Sequence, residues 1–530
     1  MGGRRREGPP NAGERARSWW GWGWADEALD DDACRKLAER ALRPWMPVDG
    51  HVSPVPADPV LPSPRLVPPS TLDSIFARDS LTRAAHSYGK AYRDVVRALA
   101  GRLDHAPDLV GYPRNRADVV AVLDWAEASG AVVVPFGGGT SVVGGVECRT
   151  DQPVVTLDLT RLNRVVEVDE VSLAGRVQAG VFGPALEAQL KPHGLTLRHY
   201  PQSFEFSTVG GWLATRSGGH YATGYTHIDD FVEALRVVTP AGMVETLRVP
   251  ASGAGPSPDR LFLGSEGILG VIIEAWLRLT RRPEHRASMA VVFDSYPDAV
   301  AATREIAQSG LRPSNCRLLD ALEAVLHAGA TEARCRLLLG FESADHDVTA
   351  DLDRAVEICR AHHGVPDGTA QTEADTMGTW RDSFLRAPYL RDALVRLGLV
   401  VETFETACTW SRFEALHAAV LTAVSEVAPG GVAVVTCRFT HVYPDGPAPY
   451  FTVIAPGRRG GELAIWDEVK AAASEAILAE GGTITHHHAV GRDHRPWYDR
   501  QRPEPFALAL RAAKAALDPK GILNPGVLID

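Results

Sequence analysis

The chain has 530 residues, of which 45% are hydrophobic and 23% charged, a composition that is typical of a folded globular protein with two or three domains. Its 66 acidic and 55 basic side chains give a net charge of −11, which argues against a dedicated nucleic-acid-binding protein. No run of eighteen apolar residues occurs, so the sequence predicts no membrane-spanning helix. The seven cysteines are scattered without a Cys-x-x-Cys pair, which favours a cytoplasmic location and indicates no thiolate metal site.

Residues 1–75 are predicted to form an N-terminal extension and a proline-rich linker. Within six residues this region holds four tryptophans, Trp19, Trp20, Trp22 and Trp24. Such an aromatic cluster can pack into a core or a neighbouring domain, or it can lie at a membrane interface, and packing is the more common outcome. Residues 51–70 contain seven prolines, which favours an extended segment over the surface.

Short strands and helices alternate over residues 105–283, which indicates an α+β domain. The pattern predicts helices at 118–127 and 184–190 and strands at 131–134, 154–157, 164–168, 176–179 and 270–277. A second alternation predicts strands at 288–293, 335–341, 431–442 and 450–454, with helices at 297–309, 351–362, 412–426 and 461–480. A basic, alanine-rich helix follows at 505–517.

Three glycine-rich segments lie in the first of these domains. The segment 135–141 follows a buried apolar run, and its three consecutive glycines let the backbone turn sharply and approach a ligand closely. Such a loop can direct N–H groups and the hydroxyls of Thr140 and Ser141 at a pyrophosphate. The segments 202–219 and 264–271 are also rich in small residues. Because neither a G-x-G-x-x-G fingerprint nor a Walker lysine is present, the pattern favours flavin adenine dinucleotide over a nicotinamide or a nucleoside triphosphate.

These motifs, in this order, resemble the vanillyl-alcohol-oxidase/PCMH-type flavoprotein superfamily and, within it, the alkyldihydroxyacetonephosphate synthase family, over about residues 19–530. The resemblance implies an α+β fold in which a PCMH-type FAD-binding domain, 76–283, is joined to a cap (substrate) domain, 284–480, with an antiparallel sheet and flanking helices. Residues 481–530 would carry a His-rich active-site segment and a C-terminal helix that returns to the FAD domain.

The resemblance also implies which residues bind FAD. Covalent flavin attachment in this superfamily uses a histidine in the first loop, and no histidine occurs here between residues 106 and 192, so non-covalent FAD is expected. The implied cofactor-binding residues are Pro135, Phe136, Gly137, Gly138, Gly139, Thr140, Ser141, Gln202, Ser203, Phe204, Glu205, Phe206, Ser207, Thr208, Thr215, Arg216, Ser217, Gly218, Ser265, Glu266, Gly267, Ile268, Leu269, Gly270 and Val271.

Three consecutive histidines, His486, His487 and His488, form a second distinctive motif. On an extended segment neighbouring side chains alternate faces, so at most two would point the same way, and all three would not ligate one metal ion without a turn. The sequence therefore indicates no metal site, and a solvated polar loop is the plain alternative to an active-site role. The resemblance implies that these histidines are needed for activity.

Three further residues are assigned by the resemblance. Tyr450 matches a catalytic tyrosine, Arg317 an arginine important for activity, and Arg391 a substrate-binding arginine whose planar guanidinium suits a phosphate. The plainer interpretations are a half-buried strand tyrosine, a structural ion pair and a surface salt bridge, respectively. Arg438 and His441, on the predicted strand 431–442, could also line the pocket.

The implied reaction is the exchange of the acyl group of acyl-dihydroxyacetone phosphate for a long-chain fatty alcohol, which forms the ether bond of ether lipids. No net electrons move, so the flavin would hold the substrate carbon between the departure of the carboxylate and the arrival of the alcohol. The implied partners are these small-molecule lipid substrates and no nucleic acid; a homodimer and peripheral membrane contact are left open.

Two alternatives remain. An FAD-dependent D-2-hydroxy-acid dehydrogenase or oxidase of the same superfamily is supported by residues 518–526, Asp-Pro-Lys-Gly-Ile-Leu-Asn-Pro-Gly, which resemble the C-terminal signature of that branch. Against it, the three histidines stand where those enzymes usually carry a Glu-His-Gly-Ile-Gly-like segment. A non-catalytic flavin or lipid carrier is disfavoured, because a carrier needs neither Arg391, Tyr450 nor the histidines.

Overall fold

The computed structural model describes residues 15–43, 46–221, 223, 226–327, 332–371 and 375–530. Within these ranges, the helices are all too short or too polar to cross a bilayer. The first helix, α1 (Asp31–Leu37), is capped by Asp30, whose side chain accepts a hydrogen bond from the N–H of Ala33. Residues 47–70 then run without regular secondary structure to the first sheet, as the prolines predict.

The first half of the chain forms one mixed and one antiparallel sheet. The four-stranded sheet has the order β1-β2-β4-β3, with β2, β4 and β3 parallel to one another. The five-stranded antiparallel sheet has the order β5-β6-β10-β8-β9, and β7 pairs with β11. The strands are β1 (Phe76–Ala77), β2 (Leu109–Gly111), β3 (Val132–Phe136), β4 (Val154–Asp158), β5 (Val165–Asp169), β6 (Ala174–Gln178), β7 (Leu195–Thr196), β8 (Val232–Thr239), β9 (Gly242–Glu245), β10 (Val271–Arg278) and β11 (Thr280–Arg281).

The helices of this half are α2 (Ser80–Ala85), α3 (Tyr92–Leu99), α4 (Arg116–Ser129), α5 (Gly183–Leu190), α6 (Val209–Thr215) and α7 (Pro258–Phe262). The first and last residues of α4 are set by the local sequence. The Asn115 side chain accepts from the N–H of Asp118 at the start, and Gly130 ends the helix with a φ of 68°. The buried face of α4 packs with β2, β3 and β4 in one core.

The second half forms a seven-stranded antiparallel sheet of order β15-β12-β14-β13-β17-β18-β16. Its strands are β12 (His285–Phe293), β13 (Asn315–Leu319), β14 (Cys335–Ser343), β15 (Val365–Gln371), β16 (Leu399–Glu405), β17 (Val434–Val442) and β18 (Pro447–Pro456). Its helices are α8 (Tyr296–Gln308), α9 (Ala321–His327), α10 (Thr349–Ala361), α11 (Asp375–Arg396), α12 (Trp410–Val427) and α13 (Glu462–Ala479). Helices α8, α10, α12 and α13 share one apolar core with the sheet.

The last residues return to the first half. Helices α14 (Arg495–Gln501) and α15 (Glu504–Leu517) precede a tail that lies beside β3. There the Val133 N–H donates to the carbonyl of Ile522, and the Asn524 N–H donates to the carbonyl of Val133. The side chains of Ile522 and Leu523 are buried in the core of the four-stranded sheet.

The predicted elements in both halves are present, with ends that differ by a few residues. Two differences matter for the site. No helix was predicted within the glycine-rich segment 202–219, but residues 209–215 form α6, because Thr208 caps the N–H of Gly211 and the apolar side chains of Trp212 and Leu213 are buried. The strands β13 and β16 and the helix α11, which carry site residues, were not predicted.

Candidate active site

One cleft of about 2280 Å³, including the space at its open mouth, lies between the glycine-rich segments and the seven-stranded sheet. Seventeen of the predicted cofactor-binding residues line it: Pro135, Phe136, Gly137, Gly138, Gly139, Thr140, Ser141, Gln202, Ser203, Ser207, Thr208, Thr215, Ser217, Gly218, Glu266, Gly267 and Gly270. Eight do not reach its wall: Phe204, Glu205, Phe206, Arg216, Ser265, Ile268, Leu269 and Val271. Several of the eight serve the fold instead, since Ile268, Leu269 and Val271 are core residues and Arg216 pairs with Asp229.

The first glycine loop fits closely against the second. A Cβ atom added to Gly138 would overlap the carbonyl oxygen of Phe206, and one added to Gly137 would overlap the hydroxyl of Thr208. Gly139 has a φ of 67°, a conformation that L side chains rarely adopt. The loop therefore needs glycines here, and it presents bare main chain to the cleft.

The third loop connects the cofactor loops to the C-terminal region. The Glu266 carboxylate accepts hydrogen bonds from the N–H groups of Val490 and Gly491, each at 2.9 Å. Burial raises the pKa of Glu266 to about 7, although these two donors oppose the rise. The Asn524 side-chain amide donates to the carbonyls of Glu266 at 2.7 Å and Gly145 at 3.0 Å. The tail thus fixes two loops at once.

These loops fit a long, phosphate-containing cofactor. The main chain of residues 137–139 lies on the cleft wall, together with the hydroxyl side chains of Thr140, Ser141 and Ser203. Main-chain amides and hydroxyls of this kind are what a loop offers to a ligand. The donor set is neutral hydroxyls and main-chain amides, which suits the pyrophosphate and ribityl groups of FAD.

The facing wall is built by strand alternation. On β13, Cys316 and Leu318 are buried against the helices, so Arg317 between them lines the cleft. On β18, Phe451 and Val453 are likewise buried in the core, so Tyr450 lines the cleft together with Thr452 and Ile454. Arg438 and His441 on β17 line it as well, as the sequence suggested.

Arg438 and Tyr450 are neighbours in the β17–β18 register, and the guanidinium carbon of Arg438 lies 3.8 Å from the centre of the Tyr450 ring. Burial raises the pKa of Tyr450, and the charge of Arg438 opposes that rise. Arg438 is itself ion-paired with the buried Glu323. Burial, with Arg438 nearby, lowers the pKa of Arg317 well below its usual range. The guanidinium of Arg317 lies 3.3 Å from Nδ1 of His220.

The three histidines follow a bend and not an extended segment, so the predicted alternation of faces is wrong. The bend forms because the backbone N–H groups of His486, His487 and His488 all donate to the Glu405 carboxylate. Burial alone would raise the pKa of Glu405, but His488, His486, the Thr485 hydroxyl and the backbone donors bring it down to about 2. Glu405 is therefore an ionised anchor for this segment.

Two of the three histidines, His487 and His488, line the cleft. His486 turns away, with its Nε2 2.7 Å from the Tyr443 hydroxyl and 3.1 Å from Nε2 of His227. Burial lowers the pKa of all three imidazoles, so they are neutral near pH 7.

The bend also brings together a cluster of histidines that the sequence pattern did not indicate. Ring nitrogens of His441, His486 and His487 lie within 4.8 Å of one another, a spacing that would suit a shared metal ion. One nitrogen of His441 is already 2.7 Å from the carbonyl of Gly219, and one of His486 is hydrogen-bonded to Tyr443.

Arg391 reaches the cleft from α11. Its guanidinium donates to the Asp392 carboxylate, at 2.7 and 3.0 Å, and to the carbonyl of Lys90. Burial lowers the pKa of Lys90 to about 8. Arg391 is therefore held in place by neighbours that leave it on the cleft wall.

Comparison with protein-family models matches residues 107–248 to an FAD-binding domain and residues 282–528 to the C-terminal domain of FAD-linked oxidases. An alkyldihydroxyacetonephosphate synthase from Trypanosoma brucei brucei is 32% identical over 484 residues, covering 85% of this chain and 78% of that protein. The chain belongs to the alkyldihydroxyacetonephosphate synthase family.

A solved structure of an alkyldihydroxyacetonephosphate synthase superimposes with a TM-score of 0.80 at 26% identity, covering 96% of this chain and 98% of that chain. The structure of p-cresol methylhydroxylase with substrate bound shares the fold, with a TM-score of 0.68 at 16% identity over 86% of this chain and 94% of that chain. Membership of the alkyldihydroxyacetonephosphate synthase family confirms the predicted PCMH-type fold with its cap domain, and it confirms FAD as the cofactor of an enzyme.

The sequence missed one important residue of this family member, Glu405. It lies 82 residues before His487, on a strand that was not predicted, and no local motif marks it. Strand alternation along residues 399–405 was the available signal, since it would have placed Val401 and Thr403 on the cleft side, where both are found.

Proposed function

We propose that the protein exchanges the acyl group of acyl-dihydroxyacetone phosphate for a long-chain fatty alcohol, forming an ether bond without net redox. The observation that carries the proposal is that two different walls of the cleft face each other. The glycine-rich FAD-binding loops form one wall, and Tyr450, His487 and His488 lie with buried arginines on the other. The name of the related synthases supports the same substrate class.

Each wall residue has a role in this proposal. Tyr450 exchanges a proton at the substrate carbon, and the adjacent charge of Arg438 keeps its hydroxyl more acidic than burial alone would allow. The neutral imidazoles of His487 and His488 donate to the leaving carboxylate and accept the proton of the incoming alcohol. FAD held by the loops at 135–141 and 202–208 would supply an electron-rich ring beside the substrate carbon.

The substrate is held at both of its ends. Arg391 binds the phosphate, because its guanidinium is fixed at the cleft wall by Asp392 and Lys90. Arg317 supports the developing charge near the reacting carbon. Aliphatic side chains line the cleft beside Arg391 and accept the alkyl chain: Leu390, Leu394, Val401 and Ile454.

Residues 518–526, on which the dehydrogenase alternative rests, have a structural role in this protein. In residues 518–526, the Asp518 carboxylate accepts from the N–H groups of Ile522 and Leu523 and pairs with Lys514. Asn524 fixes the cofactor loops. The segment therefore holds the tail against the loops at Gly145 and Glu266, a role that does not depend on the substrate.

A paired assay tests the proposal. Purified protein is given labelled hexadecanol and acyl-dihydroxyacetone phosphate without an electron acceptor, and labelled alkyl-dihydroxyacetone phosphate is the expected product. In parallel, D-lactate or D-2-hydroxyglutarate is given with an acceptor dye. Bleaching of the dye, with no ether product in the first reaction, would establish the dehydrogenase instead.

A matched pair of variants ties the activity to the phosphate site. Arg391→Met is expected to raise the KM for acyl-dihydroxyacetone phosphate by about tenfold or more, because a charge-assisted bidentate contact is lost. Arg386→Met removes an exposed arginine one and a half turns earlier on α11 and should leave the KM unchanged. Equal effects of the two variants would argue against phosphate binding by Arg391.

A further inference from the structure

The Trp-rich segment, residues 19–24, forms part of the cleft wall. Trp22 lines the cleft and is 5% exposed. Its ring packs edge-on against Phe206 of the second cofactor loop, with 5.8 Å between ring centres, and Tyr389 of α11 completes the contact. An aromatic cluster that the sequence could assign only in general terms thus lies at the site itself.

The segment is attached to the cap domain through its backbone. The N–H of Trp22 donates to the Asp392 carboxylate at 2.6 Å, and the N–H of Trp24 donates to the Tyr389 hydroxyl at 2.9 Å. Gly23 has a φ of 59°, and a Cβ atom there would overlap the Tyr389 hydroxyl. The backbone therefore has little freedom to move Trp22 away from the cleft.

The segment is also attached to the FAD-binding half. The indole N–H of Trp24 donates to the Glu205 carboxylate at 2.7 Å. The guanidinium of Arg17 donates to the carbonyl of Gly138 in the first cofactor loop at 2.9 Å. The segment bridges the two halves of the protein at the edge of the cleft.

The indole N–H of Trp22 differs from that of Trp24. It is buried and has no hydrogen-bond partner among the described residues. A buried donor without an acceptor is unfavourable, and in native proteins nearly all such donors find one. Trp22 also lies on the cleft wall, so a ligand that fills the cleft can bring an acceptor to this N–H.

The charges around the segment favour an anionic acceptor. Arg17 precedes the segment, the ammonium group of Lys90 lies 3.3 Å from the carbonyl of Trp19, and Arg391 donates to the carbonyl of Lys90. Two carboxylates contact the same group: Asp392 accepts from Arg391 and Trp22, and Glu205 accepts from Trp24. Among the groups in direct contact, three cations face two carboxylates, a balance that suits a phosphate.

We propose that the indole N–H of Trp22 donates a hydrogen bond to a phosphate oxygen of a ligand in the cleft, which makes the Trp-rich segment part of a phosphate-binding site. The phosphate belongs to FAD or to the substrate. If the phosphate is that of FAD, the inference depends only on the cofactor. If it is that of the substrate, the inference rests on the proposed function.

The test compares Trp22→Phe with Trp24→Phe. The first variant keeps an aromatic ring against Phe206 and removes the unpaired N–H. The second removes an N–H that already has a protein acceptor, Glu205. Phosphorus NMR of each holoenzyme, alone and with dihydroxyacetone phosphate, reports on the two phosphates of FAD and on the phosphate of the added compound separately.

The expected result is a shifted phosphorus resonance in Trp22→Phe and not in Trp24→Phe, together with a Kd about tenfold weaker or more for the compound whose resonance moves. A shift of an FAD resonance identifies the cofactor as the source, and a shift of the dihydroxyacetone phosphate resonance identifies the substrate. Unchanged resonances and unchanged affinities for both compounds would overturn the proposal.

Stability measurements separate ligand binding from a structural role. Trp22→Phe removes an unpaired buried donor but also leaves a small cavity, so the melting temperature of the variant is compared with wild type in the flavin-free, FAD-bound and dihydroxyacetone-phosphate-bound states. If Trp22→Phe lowers the melting temperature by the same amount in all three states, the effect is structural and the proposal is overturned. If wild-type protein fails to bind dihydroxyacetone phosphate, the proposed function is in error, and the FAD resonances still decide the role of Trp22.

Discussion

The carboxylate of Glu405 accepts a hydrogen bond from the backbone N–H of His488 at 2.7 Å, and the N–H groups of His486 and His487 converge on the same carboxylate. Three consecutive main-chain donors around one ionised group define the direction of each imidazole. Glu405 is 0% exposed and does not line the cleft, so it acts on the reaction through the histidines.

Replacing Glu405 by glutamine should therefore disturb the histidines and leave FAD in place. An amide has one acceptor oxygen and no charge, so it cannot satisfy three N–H donors as the carboxylate does. We expect kcat to fall by about 10- to 100-fold, in line with the strength of hydrogen bonds to a charged group. The measurements are the turnover number and the flavin absorbance of the purified protein.

The control is Glu402→Gln on the same strand. Glu402 is also buried, but it pairs with Lys470 and Trp466 and not with the histidines. Glu402→Gln should lower the thermal stability of the protein more than it lowers kcat. A Glu405→Gln enzyme with wild-type kcat would remove Glu405 from the proposed machinery.

Tyr450→Phe should abolish most of the activity, because it removes a hydroxyl that the proposal uses for proton transfer. Loss of a general acid–base group typically costs about 10²- to 10⁴-fold in rate. The ring and its contact with Arg438 are retained, so flavin content and thermal stability should change little. Steady-state kinetics measure the loss of activity, and the flavin absorbance spectrum shows whether FAD is still bound.

Tyr443→Phe is the companion variant. Tyr443 contacts His486 and Thr226 but does not line the cleft. A loss in Tyr443→Phe as large as that in Tyr450→Phe would indicate that the two hydroxyls act together and that Tyr450 is not the proton-transfer group.

The parts of the site that sequence alone could predict are those with short-range causes. The glycines at 137–139 are needed by the loop itself, and the alternation of β18 places Tyr450 opposite the apolar side chains of Phe451 and Val453. The bend at His486 has a long-range cause, a carboxylate 81 residues away, so local pattern predicted an extended segment there. The site of Trp22 depends likewise on Asp392, 370 residues distant.

Gly138→Ala should weaken FAD binding by about tenfold or more. The added methyl group overlaps the Phe206 carbonyl, and a backbone shift of the loop is the only relief, at a cost of about 1–3 kcal/mol. Flavin titration of the flavin-free protein measures the affinity. Gly253→Ala adds the same methyl group where nothing lies within 4 Å, and it should bind FAD as wild type does. Tight FAD binding by Gly138→Ala would show that the first loop does not hold the cofactor.

Lowering the pH should destabilise the protein, because its buried histidines resist protonation in the folded state. Burial, with His227 and His441 nearby, lowers the pKa of His199 to about 3. Below about pH 6.5 the unfolded chain takes up a proton that the folded protein refuses, so stability falls with decreasing pH, by about 1.4 kcal/mol per pH unit for this group. His199→Gln should therefore lose less thermal stability than wild type between pH 7 and pH 5.

The exposed His346 provides the comparison for this prediction. His346→Gln makes the same replacement at the surface, and its curve of melting temperature against pH is measured beside that of wild type. If the His199→Gln curve runs parallel to the wild-type curve, His199 must be protonated in the folded protein at these pH values, contrary to its burial.

The attachment of Trp22 to Asp392 has a consequence for how the chain is made. The N-terminal tryptophans emerge from the ribosome first, but their partners on α11 emerge about 370 residues later. At synthesis rates of about 5–20 residues per second, this leaves apolar indole surface uncovered for tens of seconds. The Trp-rich segment thus completes its native contacts only after most of the chain has been synthesised.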